Sequence, residues 1–275
     1  MSHDVSLLDL RDDTNHPLSL RYSEIYTNAL VNGYFKDGRV QPSLTLLDKA
    51  PFVLAGREAV KKGIYSDLAL EAIYNVLDAY YEMVQPANAA DWLGIAGEKN
   101  IELQHAPAWG AVLPWRARSL SSYQNTYEKA ALEENRLTGR EIGIEDGWFL
   151  CGPVSKEKII IESERILHVL RQIDTYGYKR SDSVDGDVKA TALIGKNQEW
   201  KWLITSGNHR AAAAAALGYE SIPIRVNLVI SRSDVMYWKH VVTGLFTQEQ
   251  ALEIFDNIFD ARSVSVLKQW QIEIN

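Results

Sequence analysis

The residues with the most usable chemistry fall in one stretch, Ile204–Val226, ITSGNHRAAAAAALGYESIPIRV. A short polar turn runs into His209 and Arg210, then six alanines, Leu217 and Gly218. The leading N–H groups of a helix have no partner within the helix, and the helix dipole adds about half a positive charge there. An anion, phosphate above all, is the natural guest of such a turn. Gly207 clears the way for close approach. Arg210 can grip two phosphate oxygens with its planar fork, and His209 can donate to an oxygen or move a proton near neutral pH. Ser206 and Asn208 offer further hydrogen bonds. The competing reading is a plain cap on an alanine-rich helix, but a cationic pair at a helix N-terminus is electrostatically disfavoured unless an anion accompanies it.

The elements that must position this turn are readable on both sides of it. A helix over about 209–217 is ended by Gly218. Upstream, Asp187–Ile194 and Trp200–Ile204 alternate apolar and polar residues around the turn GKNQE, which makes a hairpin. Ile161–Tyr176 is an amphipathic helix closed by Gly177. The run WFLCGPV (148–154) reads as a short apolar strand broken by Gly152-Pro153. Downstream, Ile222–Ile230 alternates as a strand, and Pro223 assigns it to a sheet edge. Thr247 and Gln250 form a capping box ahead of a helix lined by Leu252, Phe255 and Phe259. In the first 145 residues, Asp67–Val84 is a clear amphipathic helix stopped by Pro86, Pro107–Arg118 an irregular loop, and Ser122–Leu137 helical.

With these elements in place, GNHRAAAAAALGYESIPIRV resembles the signature of the ParB/sulfiredoxin-like superfamily, in which a Gly-x-His-Arg turn opens a helix of small residues before Leu-Gly and an Ile-Pro-Val type strand. The likeness extends upstream through GPVS, ESERILHVLRQIDTYGY and the hairpin, covering about 149–230. It implies an α/β (α+β) core with a small mixed sheet and packed helices, and a bound nucleotide, ATP or another, cradled by Ser206, Gly207, Asn208, His209 and Arg210. It also implies that Arg165, His168 and Gln172, at i, i+3, i+7 on the upstream helix, face that nucleotide. Helical geometry sets these three opposite Ile166, Leu170 and Ile173. Asn208 stands where sulfiredoxins carry cysteine, which argues against sulfinic-acid reduction, and Cys151 reads as a small buried hydrophobe. The short apolar C-terminal tail argues against a DNA-partitioning role. What remains is an ATP/ADP-dependent kinase or phosphotransferase acting on a small-molecule or sugar hydroxyl, with Mg²⁺ accompanying the nucleotide. Its catalytic candidates are His209, Glu162 and Glu164, the two carboxylates as metal ligands or base, with Asp185 and Asp187 as a second acidic option.

Composition sets the remaining bounds. The chain has 275 residues, a net charge of −7 and one cysteine. The acidic balance argues against a nucleic-acid partner, and the lone cysteine fits a reducing cytoplasm. No apolar run is long enough for a membrane span. Scattered histidines give no metal-binding spacing. The expected organisation is a mostly helical region over 1–145, the nucleotide-binding core over 146–232 and a helical tail over 233–275. A nuclease or nucleic-acid-associated module and a non-catalytic NTP-binding regulator are the rival readings. Trp109, Trp115, Arg116 and Arg118 stand as a further stacking surface or as packing.

Overall fold

The structure, a computed structural model, describes residues 7–95, 100–136, 139–140, 142–180 and 186–273. Among them a mixed α/β fold is built on a seven-stranded sheet with packed helices and a helical C-terminal tail. The strands are β1 (Leu7–Asp9), β2 (Asn28–Tyr34), β3 (Gly38–Val40), β4 (Leu44–Thr45), β5 (Val188–Ile194), β6 (Trp200–Ser206) and β7 (Ser221–Ser231), in spatial order β1-β2-β7-β5-β6-β3-β4. The helices are α1 (Pro51–Lys62), α2 (Leu68–Met83), α3 (Ala89–Leu93), α4 (Ile101–His105), α5 (Leu120–Arg136), α6 (Lys156–Tyr176), α7 (Asn208–Ala216), α8 (Lys239–Val242), α9 (Gln248–Asp260) and α10 (Lys268–Glu273).

The hairpin β5–β6 pairs antiparallel, as its alternation predicts, and β7 runs parallel to β5 on the other side. The expected division near residue 145 does not divide the sheet. β2 pairs antiparallel with β7, and β3 pairs parallel with β6, so strands from the first 45 residues flank the later ones. These N-terminal strands escape a periodicity reading for two reasons. Three of them span only two or three residues, and β2 buries Ala29, Leu30 and Val31 in succession. A strand covered on both faces shows no alternation.

β7 is an interior strand, contrary to the edge position argued from Pro223. Pro223 pairs with Asn32 of β2, while pairing with β5 begins one residue later, at Ile224. The proline therefore sits where the strand has a single neighbour, and its missing N–H interrupts little. The run 148–154 is also not a sheet strand. It is a tight turn with an isolated Trp148–Cys151 bridge. α6 starts earlier than its apolar periodicity indicates, because Ser155 caps it by accepting from the Lys158 N–H at 3.2 Å.

The alanines of α7 are all buried. α7 lies against β5 and β7, with α1 and α6 packed around it. The approach is close: a Cβ placed on Gly56 of α1 would lie 2.8 Å from that of Ala216. The tail is held by apolar burial of Ala251, Ile254, Phe255, Ile258 and Phe259 in α9, below the expected Thr247–Gln250 capping box. Leu252 is only partly covered. Arg39, on β3, is buried and donates to three carbonyl oxygens, those of Phe259, Lys36 and Gly38. It ties the end of α9 to the sheet.

Candidate functional site

Gly207 closes β6 and caps α7 in the left-handed region, with φ 84°. A side chain there would be strained and would press on Val188, 3.1 Å away. This turn fixes the start of α7, from which three side chains leave in three directions. Asn208 lines a small crevice with Pro51, Phe52, Tyr80 and Leu150. His209 turns inward to α6. Arg210 faces an open groove of about 550 Å³ along the second half of α6, shared with His168, Gln172, Tyr176, Tyr178 and Lys179.

His209 meets Glu162. Its Nε2 lies 2.6 Å from Glu162 Oε2, and the Glu162 side chain is 1% exposed. The other carboxylate oxygen, Oε1, accepts from Lys158 Nζ at 2.9 Å and Arg165 NH1 at 3.0 Å. Burial alone would raise the pKa of Glu162. The hydrogen bond from His209 and the charges of His209, Lys158 and Arg165 outweigh it and bring the value down to about 2. The histidine ring packs near two phenylalanines, Phe52 edge-on at 4.8 Å and Phe149 at 6.5 Å between ring centroids.

The first 145 residues supply the walls of this box. Phe52 comes from the start of α1. Phe149 is fixed by α2, because Tyr81 and Tyr80 donate to the carbonyls of Phe149 and Leu150, at 2.9 and 2.6 Å. The Gly152 N–H bonds to the Val84 carbonyl at 2.8 Å, and a Cβ on Gly152 would sit on the Tyr81 carbonyl oxygen.

The groove is organised by Tyr178. Its N–H donates to the Tyr219 hydroxyl at 3.1 Å, which pins the chain leaving α6 beside the end of α7. Burial pushes the Tyr178 hydroxyl up to about 12, against the pull of the neighbouring Arg210 guanidinium.

The structure thus brings Arg210, His168 and Gln172 to one groove, which Ile173 also lines, with Ile166 and Leu170 buried on the back of α6. Ser206 is exposed at the end of β6. Arg165 turns to Glu162 instead of the groove. Glu162 is enclosed by Lys158, Arg165 and His209, and Glu164 bonds Arg140 at 3.1 Å on the outer side of α6. Neither carboxylate lines the groove. Asp187 is buried against Arg225 at 3.0 Å and Arg180 at 3.6 Å, while Asp185 lies outside the described residues. Among the described residues no group of three or more His, Cys, Asp or Glu could hold a metal ion. Cys151 is buried, which pushes its thiol pKa up. Trp115 packs in the core on Trp238 and Phe255, and Trp109 stacks on Tyr127. Among the described residues no helix is long and apolar enough to cross a membrane.

Lys158, Tyr178 and the two phenylalanines were not singled out from sequence, although one signal pointed to the first. Glu162 sits on the apolar stripe of α6 with Ile159, Ile166 and Leu170, and Lys158 and Arg165 lie at i−4 and i+3 from it. A carboxylate on a buried face requires partners. No family model matches the chain, and no curated protein or solved structure shows significant similarity to it.

Proposed function

We propose that the chain binds a nucleotide at the first turn of α7 and transfers a phosphoryl group from it to a small-molecule or sugar hydroxyl, on a core of the ParB/sulfiredoxin-like kind. One observation carries the reading: the only guanidinium of the α7 turn, Arg210, opens onto the same groove as His168 and Gln172 of α6. Phosphates belong at Arg210 and the leading N–H groups of α7, where charge and helix dipole act together. The nucleoside belongs along α6, where Tyr176 and Tyr178 offer flat apolar faces and His168 and Gln172 offer polar edges. His209, one residue before Arg210 on the same turn but turned toward α6, is the base of this reading for the acceptor hydroxyl. Magnesium, where it takes part, arrives on the phosphates, since the described side chains provide no ligand set of their own.

The rival is a non-catalytic NTP-binding protein, favoured by the absence of a groove-facing carboxylate among the described residues. Both readings require binding. Thermal shift with millimolar ATP, ADP or CTP and Mg²⁺ should raise the melting temperature, since a ligand at a hundredfold excess over Kd adds about 2.7 kcal/mol of stability. Arg210→Ala should remove the shift and leave the unliganded melting temperature nearly unchanged. If no nucleotide shifts the transition, both readings fall. Release of ADP that depends on an added hydroxyl compound separates transfer from holding.

A further inference from the structure

Glu162 and His209 are described above as contact partners, and their geometry fixes more than a contact. A carboxylate offers only acceptors, so across the 2.6 Å separation Nε2 carries a proton in either charge state of the ring. In the neutral ring the lone pair is then on Nδ1. Phe52 and Phe149 pack against the ring and its side chain is only 20% exposed, and a half-turn of the ring would put Cε1 in the place of Nε2 and forfeit the bond to Glu162. Glu162 cannot turn either, since Lys158 and Arg165 both hold its other oxygen. We propose that Glu162 is a positioning residue that selects the tautomer of His209 and so leaves Nδ1 as the proton acceptor at the first turn of α7. This deepens the phosphotransfer reading and rests on it for the proton donor and for the approach of that donor to Nδ1, since His209 is turned toward α6 and does not line the groove of Arg210.

In the transfer step, the acceptor oxygen forms its bond to the terminal phosphorus of the nucleoside triphosphate and gives its proton to Nδ1. The bond from that phosphorus to the bridging oxygen breaks, and its electron pair leaves with the nucleoside diphosphate. His209 becomes an imidazolium whose new charge lies beside the ionised Glu162. The other groups at the carboxylate are Lys158 and Arg165, and the nearby Tyr81 hydroxyl, whose pKa burial raises, donates to the Phe149 carbonyl. A buried carboxylate that orients an imidazole and stabilises its charged form is a general device for a histidine base.

The nitrogen shifts of His209, read by long-range proton–nitrogen NMR on the full chain without nucleotide in mildly alkaline buffer, test the tautomer directly. His209→Gln identifies the signal among the six histidines. The wild-type protein should show a protonated Nε2 and an unprotonated Nδ1. In Glu162→Gln the amide oxygen must take the place held by Lys158 and Arg165, which turns the NH₂ toward Nε2 and should reverse the tautomer. A wild-type spectrum with protonated Nδ1, or with an even mixture, overturns the proposal, as does a folded variant that keeps the wild-type tautomer. Should the variant not fold, the wild-type spectrum decides alone. With turnover, Glu162→Gln should lower kcat by roughly 10²- to 10⁴-fold with little change in nucleotide KM. An unchanged kcat overturns the positioning role. A protein that shows the expected tautomer but never binds nucleotide overturns the phosphotransfer reading and leaves the tautomer assignment intact.

Discussion

Acid should remove a definable part of this protein's stability through Glu162. The carboxyl is fully buried, and although burial raises its pKa, the hydrogen bond from His209 and the nearby positive charges of His209, Lys158 and Arg165 carry it from 4.5 to about 2. The folded value lies below the unfolded one. The group therefore contributes stability that is complete above about 4.5 and is lost as pH falls toward about 2. At about 1.4 kcal/mol per pH unit, that drop corresponds to on the order of 3 kcal/mol. Glu162→Gln abolishes this titration. At neutral pH it should also be less stable than the wild type by about 3–5 kcal/mol, because it leaves buried cations facing an uncharged amide. Urea unfolding followed by tryptophan fluorescence, across a series from neutral to strongly acidic buffer, measures both effects. The gap between wild type and variant should narrow by on the order of 3 kcal/mol between about pH 5 and pH 2. Parallel stability curves would refute the reasoning, since they would mean that the carboxyl gains nothing from its partners in the folded state.

Two structural predictions accompany it. Arg39→Met should keep most of the buried volume but leave the Phe259, Lys36 and Gly38 carbonyls without their shared donor. The cost should be about 2–4 kcal/mol by denaturant unfolding, with hydrogen exchange quickening at the end of α9 before the sheet. Gly152→Ala should drive a methyl group into the Tyr81 carbonyl, displace the 148–152 turn and weaken binding at α7 through Phe149. A variant with wild-type melting temperature and nucleotide affinity would show that the turn does not position the site.

The later half of the chain was legible because its elements are long and one-sided. The hairpin β5–β6, the buried face of α6 and the capped α9 all follow from period and cap residues. Of the groove residues, Arg210 was legible from the polar turn itself, whereas His168 and Gln172 were expected only through the family resemblance. What lay hidden depends on pairings distant in sequence. β3 is a three-residue strand that exists because β6 offers it an edge, and nothing in Gly38–Val40 announces that. The partner of His209 was hidden in the same way. The sequence showed a cation in need of an anion, and the structure supplies Glu162, 47 residues earlier, from within the protein. Arg210 is then the cation of that turn left facing open space.

The path of the chain through the sheet has a consequence in time. β2 must wait for β7, and β3 for β6, so until well over a hundred further residues have left the ribosome each has only a short neighbour, β1 or β4, to pair with. Contacts so far apart in sequence make folding slow, because closure of the long loop comes before its reward. During that interval the apolar segment Ala29–Val31 has only the three-residue β1 beside it and lacks its long partner β7. The nascent protein therefore passes through a stage in which a strand destined for the interior is exposed to other chains, and the last sheet strand, β7, ends that stage.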